Sequence, residues 1–102
     1  MDESKIFSVG DEVYNRFDES LKPFIILKVE DETAKPNRIW VLTVDKTNGS
    51  IIFDNTVWLE KTGRKYTIDP DVTEELERIL ESDEPVYKLP KKLLGKGKID
   101  AI

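Results

Sequence analysis

The chain has 102 residues, a net charge of −5, 36% charged side chains, and neither cysteine nor histidine. This size suits a single domain with a modest core, and the missing residue types exclude disulfides, thiol nucleophiles, imidazole bases and the usual zinc sites. No apolar run reaches the roughly 18 to 20 residues of a membrane span, and the first residues lack the pattern of a signal peptide. We therefore expect a cytoplasmic protein.

Acidic and basic side chains are unevenly distributed along the chain. Residues 1–87 carry 20 acidic and 11 basic side chains, a balance of −9, whereas residues 88–102 carry five lysines and one aspartate, a balance of +4. An acidic body repels nucleic acid at long range, and a basic end attracts it. The acidic residues lack the alternating spacing and central glycine of an EF-hand loop. We predict no catalytic residue, no metal site and no cofactor.

The first part of the chain predicts two strands. Residues 1–5 are expected to be a frayed terminus, and Gly10-Asp11 breaks an apolar run before an alternating pattern over residues 13–17. A second strand is predicted from Pro23 to Glu30, because its apolar residues are continuous and partly β-branched. Residues 33–38 then form a loop that is long enough to carry function.

The best-specified element is a hairpin between residues 39 and 61. Asn48-Gly49 lies between two apolar runs and is the strongest short-range signal for a hairpin, because a type I′ turn needs positive φ at both central residues. One face of this hairpin is the predicted core, with Trp40 and Phe53 in it. The other face is apolar at its far end, which indicates either a covered surface or a binding patch. The predicted pairs include Val44 with Phe53 and Trp40 with Val57.

The rest of the chain predicts one further strand or two, a helix and a tail. Asp54-Asn55 marks a bulge or a corner, so residues 56–61 could be a separate short strand, and Thr62-Gly63 is expected to turn the chain into a strand over residues 64–68. Asp69-Pro70 is an N-cap followed by proline at N1, which predicts a helix over residues 69–82. Its apolar stripe is expected to dock on the strands. Residues 86–102 are predicted to be an extended, lysine-rich, flexible tail, so the domain comprises residues 1–85. The apolar stripe of the predicted helix consists of Val72, Leu76, Ile79 and Leu80.

This order of signals resembles the start of small SH3-like barrels of the Tudor and KOW kind. The resemblance covers about residues 7–68 and rests on the Gly10-Asp11 turn, the strand from Pro23 and the Asn48-Gly49 hairpin. It implies an antiparallel barrel of five to six strands and a binding module. Together with the C-terminal helix predicted above, this gives a mainly β (α+β) fold. The acidic loops depart from nucleic-acid-binding KOW proteins, whose loops are basic. As a short, cysteine-free, acidic chain it also resembles many small bacteriophage proteins.

Two classes of non-enzymatic function fit these patterns. The first is a protein-interaction module that binds and modulates a host protein, with the apolar end of the outer hairpin face as its binding patch. The alternative is a nucleic-acid-binding accessory protein, or an acidic mimic of nucleic acid. The predicted partner-binding residues are Ile39, Val41, Ile52, Trp58 and Tyr66. The predicted nucleic-acid contacts are Lys88, Lys91, Lys92, Lys96 and Lys98.

Overall fold

The computed structural model describes residues 7–31, 39–82 and 87–102. These residues form an antiparallel sheet of six strands and one α-helix, so the prediction of a mainly β chain with a C-terminal helix is confirmed. The expectations for residues 1–5 and 33–38 lie outside the described residues. The elements are β1 (Asp11–Asn15), β2 (Pro23–Asp31), β3 (Ile39–Val44), β4 (Ile51–Asn55), β5 (Leu59–Ile68), α1 (Pro70–Glu81) and β6 (Ile99–Ala101).

The strand order in the sheet is β4-β3-β2-β1-β5-β6. Strands β1 to β4 form a meander, and β5 returns to pair with β1. The sheet is open, with β4 and β6 at its two edges, so the predicted closed barrel is wrong. Residues from the C-terminal end contact the sheet near both of its edges. Ser50, just before β4, forms an isolated β-bridge with Lys88, and β6 pairs with β5.

Two bulges curve the sheet. The pairing of β2 with β3 shifts register at Leu27, which is the extra residue in β2. The pairing of β1 with β5 shifts around Gly63, whose φ of 95° is a conformation that glycine adopts readily. Thr62-Gly63 is therefore a bulge within one continuous strand, and the predicted turn between two strands is wrong.

The β3–β4 hairpin is confirmed, but its predicted register is wrong by two residues. Val44 pairs with Ile51 and Trp40 pairs with Asn55. Side chains alternate between the two faces with a period of two, so an even shift leaves every side chain on its predicted face. The prediction of which residues share a face therefore survives the error in register.

Asp45 explains why the hairpin turn is wider than two residues. Its carboxylate accepts the Thr47 backbone N–H at 2.9 Å and the Thr47 hydroxyl at 2.6 Å. Its backbone carbonyl accepts the Gly49 N–H at 2.7 Å. Gly49 has a φ of 81°, whereas Asn48 is not in the left-handed region that a type I′ turn also requires. Local hydrogen bonds from an aspartate thus select a longer turn.

The predicted helix is confirmed, together with its start. The Asp69 side chain accepts the Asp71 backbone N–H at 2.8 Å, and Pro70 occupies the first helical position. The apolar stripe packs against one face of the sheet, called here the helix face. The buried members of this cluster from β2, β3, β5 and α1 are Ile25, Leu27, Leu42, Val44, Tyr66, Val72, Leu76 and Ile79.

The C-terminal stretch, residues 87–102, is packed on the same cluster, so the predicted flexible tail is wrong. Leu89, Leu93, Leu94 and Ile99 are all buried there. The lysines between them extend into solvent, which masks the apolar pattern in the sequence. Gly49 allows the close approach of this stretch, because a Cβ on Gly49 would lie 2.4 Å from the Leu89 carbonyl oxygen.

The opposite face of the sheet carries a second and smaller apolar cluster. Its buried members are Val13, Ile26, Val41 and Leu59, and its partly buried members include Phe24 and Val29. The sheet curves on this side, since only three residues separate the end of β4 at Asn55 from the start of β5 at Leu59, and β5 pairs with β1 although β2 and β3 lie between β1 and β4. Curvature therefore contributes to covering this face.

Candidate functional site

Two turns meet at one end of the sheet, and both carry exposed large apolar side chains. One is the turn between β1 and β2, and the other is the 3₁₀ turn Thr56–Trp58, which confirms the predicted corner at Asp54-Asn55. The Arg16 backbone N–H donates to the Trp58 carbonyl at 3.0 Å and joins the two turns. We call the side chains of Phe17, Val57 and Trp58 the turn surface.

Asparagine side chains fix both turns. The Asn55 carboxamide oxygen accepts the Val57 N–H at 2.9 Å, and the Asn15 carboxamide oxygen accepts the Phe17 N–H at 2.9 Å. Each asparagine thus replaces a backbone partner within its turn, which holds the neighbouring apolar residue in place.

The turn surface is strongly exposed. Phe17 is 70% exposed, Val57 49% and Trp58 43%. The Arg16 guanidinium lies 5.0 Å from the centre of the Phe17 ring, within the range of a cation–π contact. Three neighbouring apolar side chains in solvent differ from the single exposed residues of an ordinary surface and are typical of a contact region.

Carboxylates border this end of the sheet. Burial raises the pKa of Asp54 above its ordinary value, although hydrogen bonds from the Asn55 N–H and the Asn15 side chain oppose the shift. The Tyr14 hydroxyl donates to Glu60 at 2.6 Å, and this hydrogen bond raises the pKa of Tyr14. Acceptor groups therefore lie beside the apolar turn surface.

The structure does not bring the predicted partner-binding residues to one surface. Val41 is fully buried in the cluster of the opposite face, and Ile39 is half-buried. Tyr66 is buried, and its hydroxyl donates to the Glu12 carboxylate at 2.9 Å. Ile52 and Trp58 are exposed, and only these two are accessible to a partner. Their role in binding stays a prediction.

The lysines of the C-terminal stretch are in different environments. Lys88, Lys91, Lys92 and Lys96 are exposed. Lys98 is half-buried, and its ammonium lies 2.7 Å from the Asp71 carboxylate. This contact raises the pKa of Lys98 and lowers that of Asp71. Lys98 thus ties the C-terminal stretch to the first turn of α1.

A second candidate site, the edge groove, lies between the β4 edge and the end of α1. It is a cavity of about 290 Å³ on the helix face. The predicted core residue Phe53 is 51% exposed here, because β4 is an edge strand and no further strand covers it among the described residues. Trp40 is half-buried and stacks on Phe53. The residues of the groove are Glu30, Leu42, Ile51, Phe53, Leu80 and Tyr87.

A larger cavity of about 440 Å³ lies between α1 and the C-terminal stretch, and four of the charged residues that line it form two ion pairs. Lys98 contacts Asp71, and Arg78 donates to Glu75. Hydrogen bonding from Arg78 lowers the pKa of Glu75. We interpret this cavity as an ion-paired junction between two packed segments.

Buried carboxylates elsewhere in the sheet are fully bonded. Glu12 accepts hydrogen bonds from Thr62 at 2.8 Å and from Tyr66 at 2.9 Å. Asp11 accepts the Ser8 N–H at 2.9 Å and lies 3.6 Å from the Lys65 ammonium. Among the described residues no buried side-chain polar atom lacks a partner. These carboxylates stabilise the β1–β5 pairing.

Within residues 7–31, 39–82 and 87–102, no cluster of acidic residues has the arrangement of a metal site. No helix in the same residues has the length and apolar character needed to cross a membrane. Comparisons with protein-family models, with curated proteins and with solved structures give no match.

The sequence missed Phe17 and Val57 as members of one surface. Both turns contain the pattern Asn-x-apolar, as Asn15-Arg16-Phe17 and Asn55-Thr56-Val57, and asparagine favours turns. The same pattern occurs as Asn37-Arg38-Ile39, where Ile39 begins β3, so it does not by itself identify an exposed apolar residue. The contact between the two turns joins residues far apart in the chain, so no local pattern predicts it.

Proposed function

We propose that this protein is a non-enzymatic, cytoplasmic protein-interaction module that binds its partner through the turn surface. The observation that carries the proposal is that Phe17, Val57 and Trp58 are exposed on two turns joined by the Arg16–Trp58 hydrogen bond. Exposed tryptophan and phenylalanine offer a large contact area at a low cost in side-chain entropy.

The rigidity of the turns also supports the proposal. Binding costs less free energy when the contact residues are already held in place. Asn15 and Asn55 hold Phe17 and Val57 through the backbone, so their side chains are displayed without needing contacts of their own. The carboxylates of Asp54 and Glu60 nearby favour a partner with basic groups around an apolar centre.

The resemblance to SH3-like modules and to small bacteriophage proteins extends this proposal. The meander of β1 to β4 after the Gly10-Asp11 turn agrees with the SH3-like pattern, although the sheet stays open. A bacteriophage origin makes a host protein the expected partner. The absence of histidine and cysteine from the sequence favours a binding role over catalysis.

The nucleic-acid alternative has weaker support. Lys88, Lys91, Lys92 and Lys96 are exposed, but Lys98 is held by Asp71, and the acidic balance of residues 1–87 opposes approach to phosphates. We expect no binding of single- or double-stranded oligonucleotides in fluorescence anisotropy at 50 mM salt. Salt-dependent binding that is lost with Lys91→Gln and Lys92→Gln would favour the alternative.

Affinity capture from the source cell tests the proposed function, with a matched pair of substitutions as its control. Val57 and Val9 are both 49% exposed, but Val9 is not part of the turn surface. We expect wild type and Val9→Ala to capture the same protein, and Val57→Ala and Trp58→Ala to capture far less of it. Circular dichroism must show that all variants fold. Equal capture by the four proteins would reject the turn surface as the binding site.

A further inference from the structure

The edge groove has the dimensions of a site for one large side chain. Its volume of about 290 Å³ is at the lower limit of small-molecule pockets, which begin near roughly 300 Å³. Its floor is apolar, with Leu42 buried and Ile51 and Leu80 half-buried. A single leucine or aromatic side chain that enters such a pocket is the usual anchor of a protein contact.

Two aromatic residues form walls of the groove, and both are held in place. Phe53 stacks on Trp40, with ring centres 4.9 Å apart and ring planes 8° from parallel. Tyr87 is fixed through its backbone, because its carbonyl accepts the Ile51 N–H at 3.1 Å. Phe53 and Tyr87 are nevertheless 51% and 41% exposed. Both aromatic side chains therefore line the cavity and keep part of their surface exposed among the described residues.

The negative charge at the rim of the groove favours a partner in which a cationic residue is next to the side chain that enters the groove. Glu30 is the one titratable acid among the described residues that line the cavity. The Lys28 ammonium lies 3.7 Å from the carboxylates of both Glu30 and Glu77. One lysine therefore faces two carboxylates, and a negative charge is left over beside the groove. The acidic balance of residues 1–87 adds a longer-range attraction for cations.

We propose that the edge groove receives an apolar side chain of a partner polypeptide whose adjacent residue is lysine or arginine. The apolar side chain packs between Phe53, Tyr87 and Leu80, while the cationic side chain lies against Glu30. The turn surface shares no residue with the groove. A test of this second contact site is therefore independent of a test of the proposed function.

An NMR titration tests the proposal with the peptide acetyl-Phe-Lys-amide as the probe. We expect the backbone amide signals of Leu42, Ile51 and Tyr87 to shift on addition of this peptide to the ¹⁵N-labelled full chain. Acetyl-Phe-Glu-amide and acetyl-Ala-Lys-amide should bind more weakly, because the first reverses the charge and the second lacks the anchor. Equal shifts with all three peptides, or no shifts at these residues, would overturn the proposal.

Variants separate the rim charge from the apolar walls. Glu30→Gln should weaken binding of acetyl-Phe-Lys-amide about three- to fivefold, the size expected of an exposed charge contact, and this difference should shrink at high salt. The matched control Glu19→Gln removes one acidic charge from an exposed position in the β1–β2 turn and should bind like wild type. Phe53→Ala removes a wall and should weaken binding of both phenylalanine peptides. An equal loss of affinity in Glu30→Gln and Glu19→Gln would reject the assigned role of Glu30.

Two further observations would assign the groove to a different occupant and so overturn the proposal. Shifts of the same amide signals with rising protein concentration, without peptide, would identify a second copy of this chain. Binding of phenethylammonium as tightly as acetyl-Phe-Lys-amide would identify a small cationic ligand. If Phe53→Ala retains partner capture while Trp58→Ala loses it, the turn surface holds that partner independently of the groove.

Discussion

The two faces of the sheet are covered in different ways. On the helix face, α1 and the C-terminal stretch bury a broad apolar cluster that includes Leu42 and Val44. On the opposite face, a smaller cluster around Ile26 and Val41 lies within the curve of the sheet. The packing of α1 and the C-terminal stretch produces a large core on the helix face, whereas the curvature of the sheet produces a small core on the opposite face. The stability of this domain should therefore depend mainly on the helix face.

Neither the packed segments nor the curvature of the sheet covers the two candidate binding surfaces. The turn surface is at the end of the curved sheet, and the edge groove is where α1 ends beside β4. Both contain aromatic residues that contribute little to either buried cluster. Substitutions of buried cluster residues, Leu42 of the groove floor included, should change stability, whereas substitutions of the exposed residues of the two surfaces should mainly change binding.

The largest expected effect is the loss of the C-terminal stretch. A chain that ends at Pro90 lacks Leu93, Leu94 and Ile99, which are all buried on the helix face. Each such side chain contributes about 1.5–3 kcal/mol, and a whole domain has only about 5–15 kcal/mol. We expect this shortened chain to be unfolded or to melt far below wild type in circular dichroism. A melting temperature close to that of the full chain would support the flexible tail that the sequence favours.

A matched pair of leucines compares the two faces directly. Leu76 of α1 is buried on the helix face, and Leu59 of β5 is buried on the opposite face. Substitution of a buried leucine by alanine costs about 2–5 kcal/mol. We expect Leu76→Ala at the upper part of this range and Leu59→Ala at the lower part, because fewer buried side chains surround the smaller cluster. Urea denaturation measures both, and a larger loss for Leu59→Ala would contradict the comparison.

Asp45 offers a smaller effect with a defined pH dependence. Burial acts to raise its pKa, but hydrogen bonds from Lys22 and Thr47 outweigh burial, so the pKa of Asp45 lies below its ordinary value. The ionised form therefore stabilises the folded state above about pH 4, and this contribution is lost as the pH falls through the lowered value. Asp45→Asn should cost about 1–2 kcal/mol at pH 7.

The difference between wild type and Asp45→Asn should shrink as the pH falls below about 4. Urea denaturation at pH 7 and at pH 3 measures this change. The control is Glu19→Gln, which removes one acidic charge from an exposed position in the β1–β2 turn and should change stability little at either pH. A constant difference at all pH values would show that Asp45 acts through its shape and not through its charge.

Local signals predicted the elements that depend on neighbouring residues. Asp69-Pro70 and the stripe of Leu76 with its neighbours located α1 to within a residue, since capping and periodicity are local properties. The hairpin was predicted for the same reason. Its register was missed because Asp45, three residues before the Asn48-Gly49 pair, forms a competing side-chain turn.

Features that depend on distant parts of the chain were missed. Leu93, Leu94 and Ile99 lie among lysines and glycines, and the sequence does not show which surface they meet. Phe53 has the pattern of a core residue, but its exposure follows from the place of β4 at the edge of the sheet. Strand order decides such exposure, and no local pattern contains strand order. The edge groove was missed for the same reason, and of the turn surface only Trp58 was among the predicted partner-binding residues.

Photo-crosslinking at position 57 tests most directly the claim that binding resides in the turn surface and not in either core cluster. The photoreactive residue p-benzoylphenylalanine replaces Val57 in one protein and the equally exposed Val9 in the other. In the source cell we expect one discrete adduct from position 57, its loss with the added substitution Trp58→Ala, and no such adduct from position 9. The same adduct from both positions, or no adduct from position 57, would contradict the account.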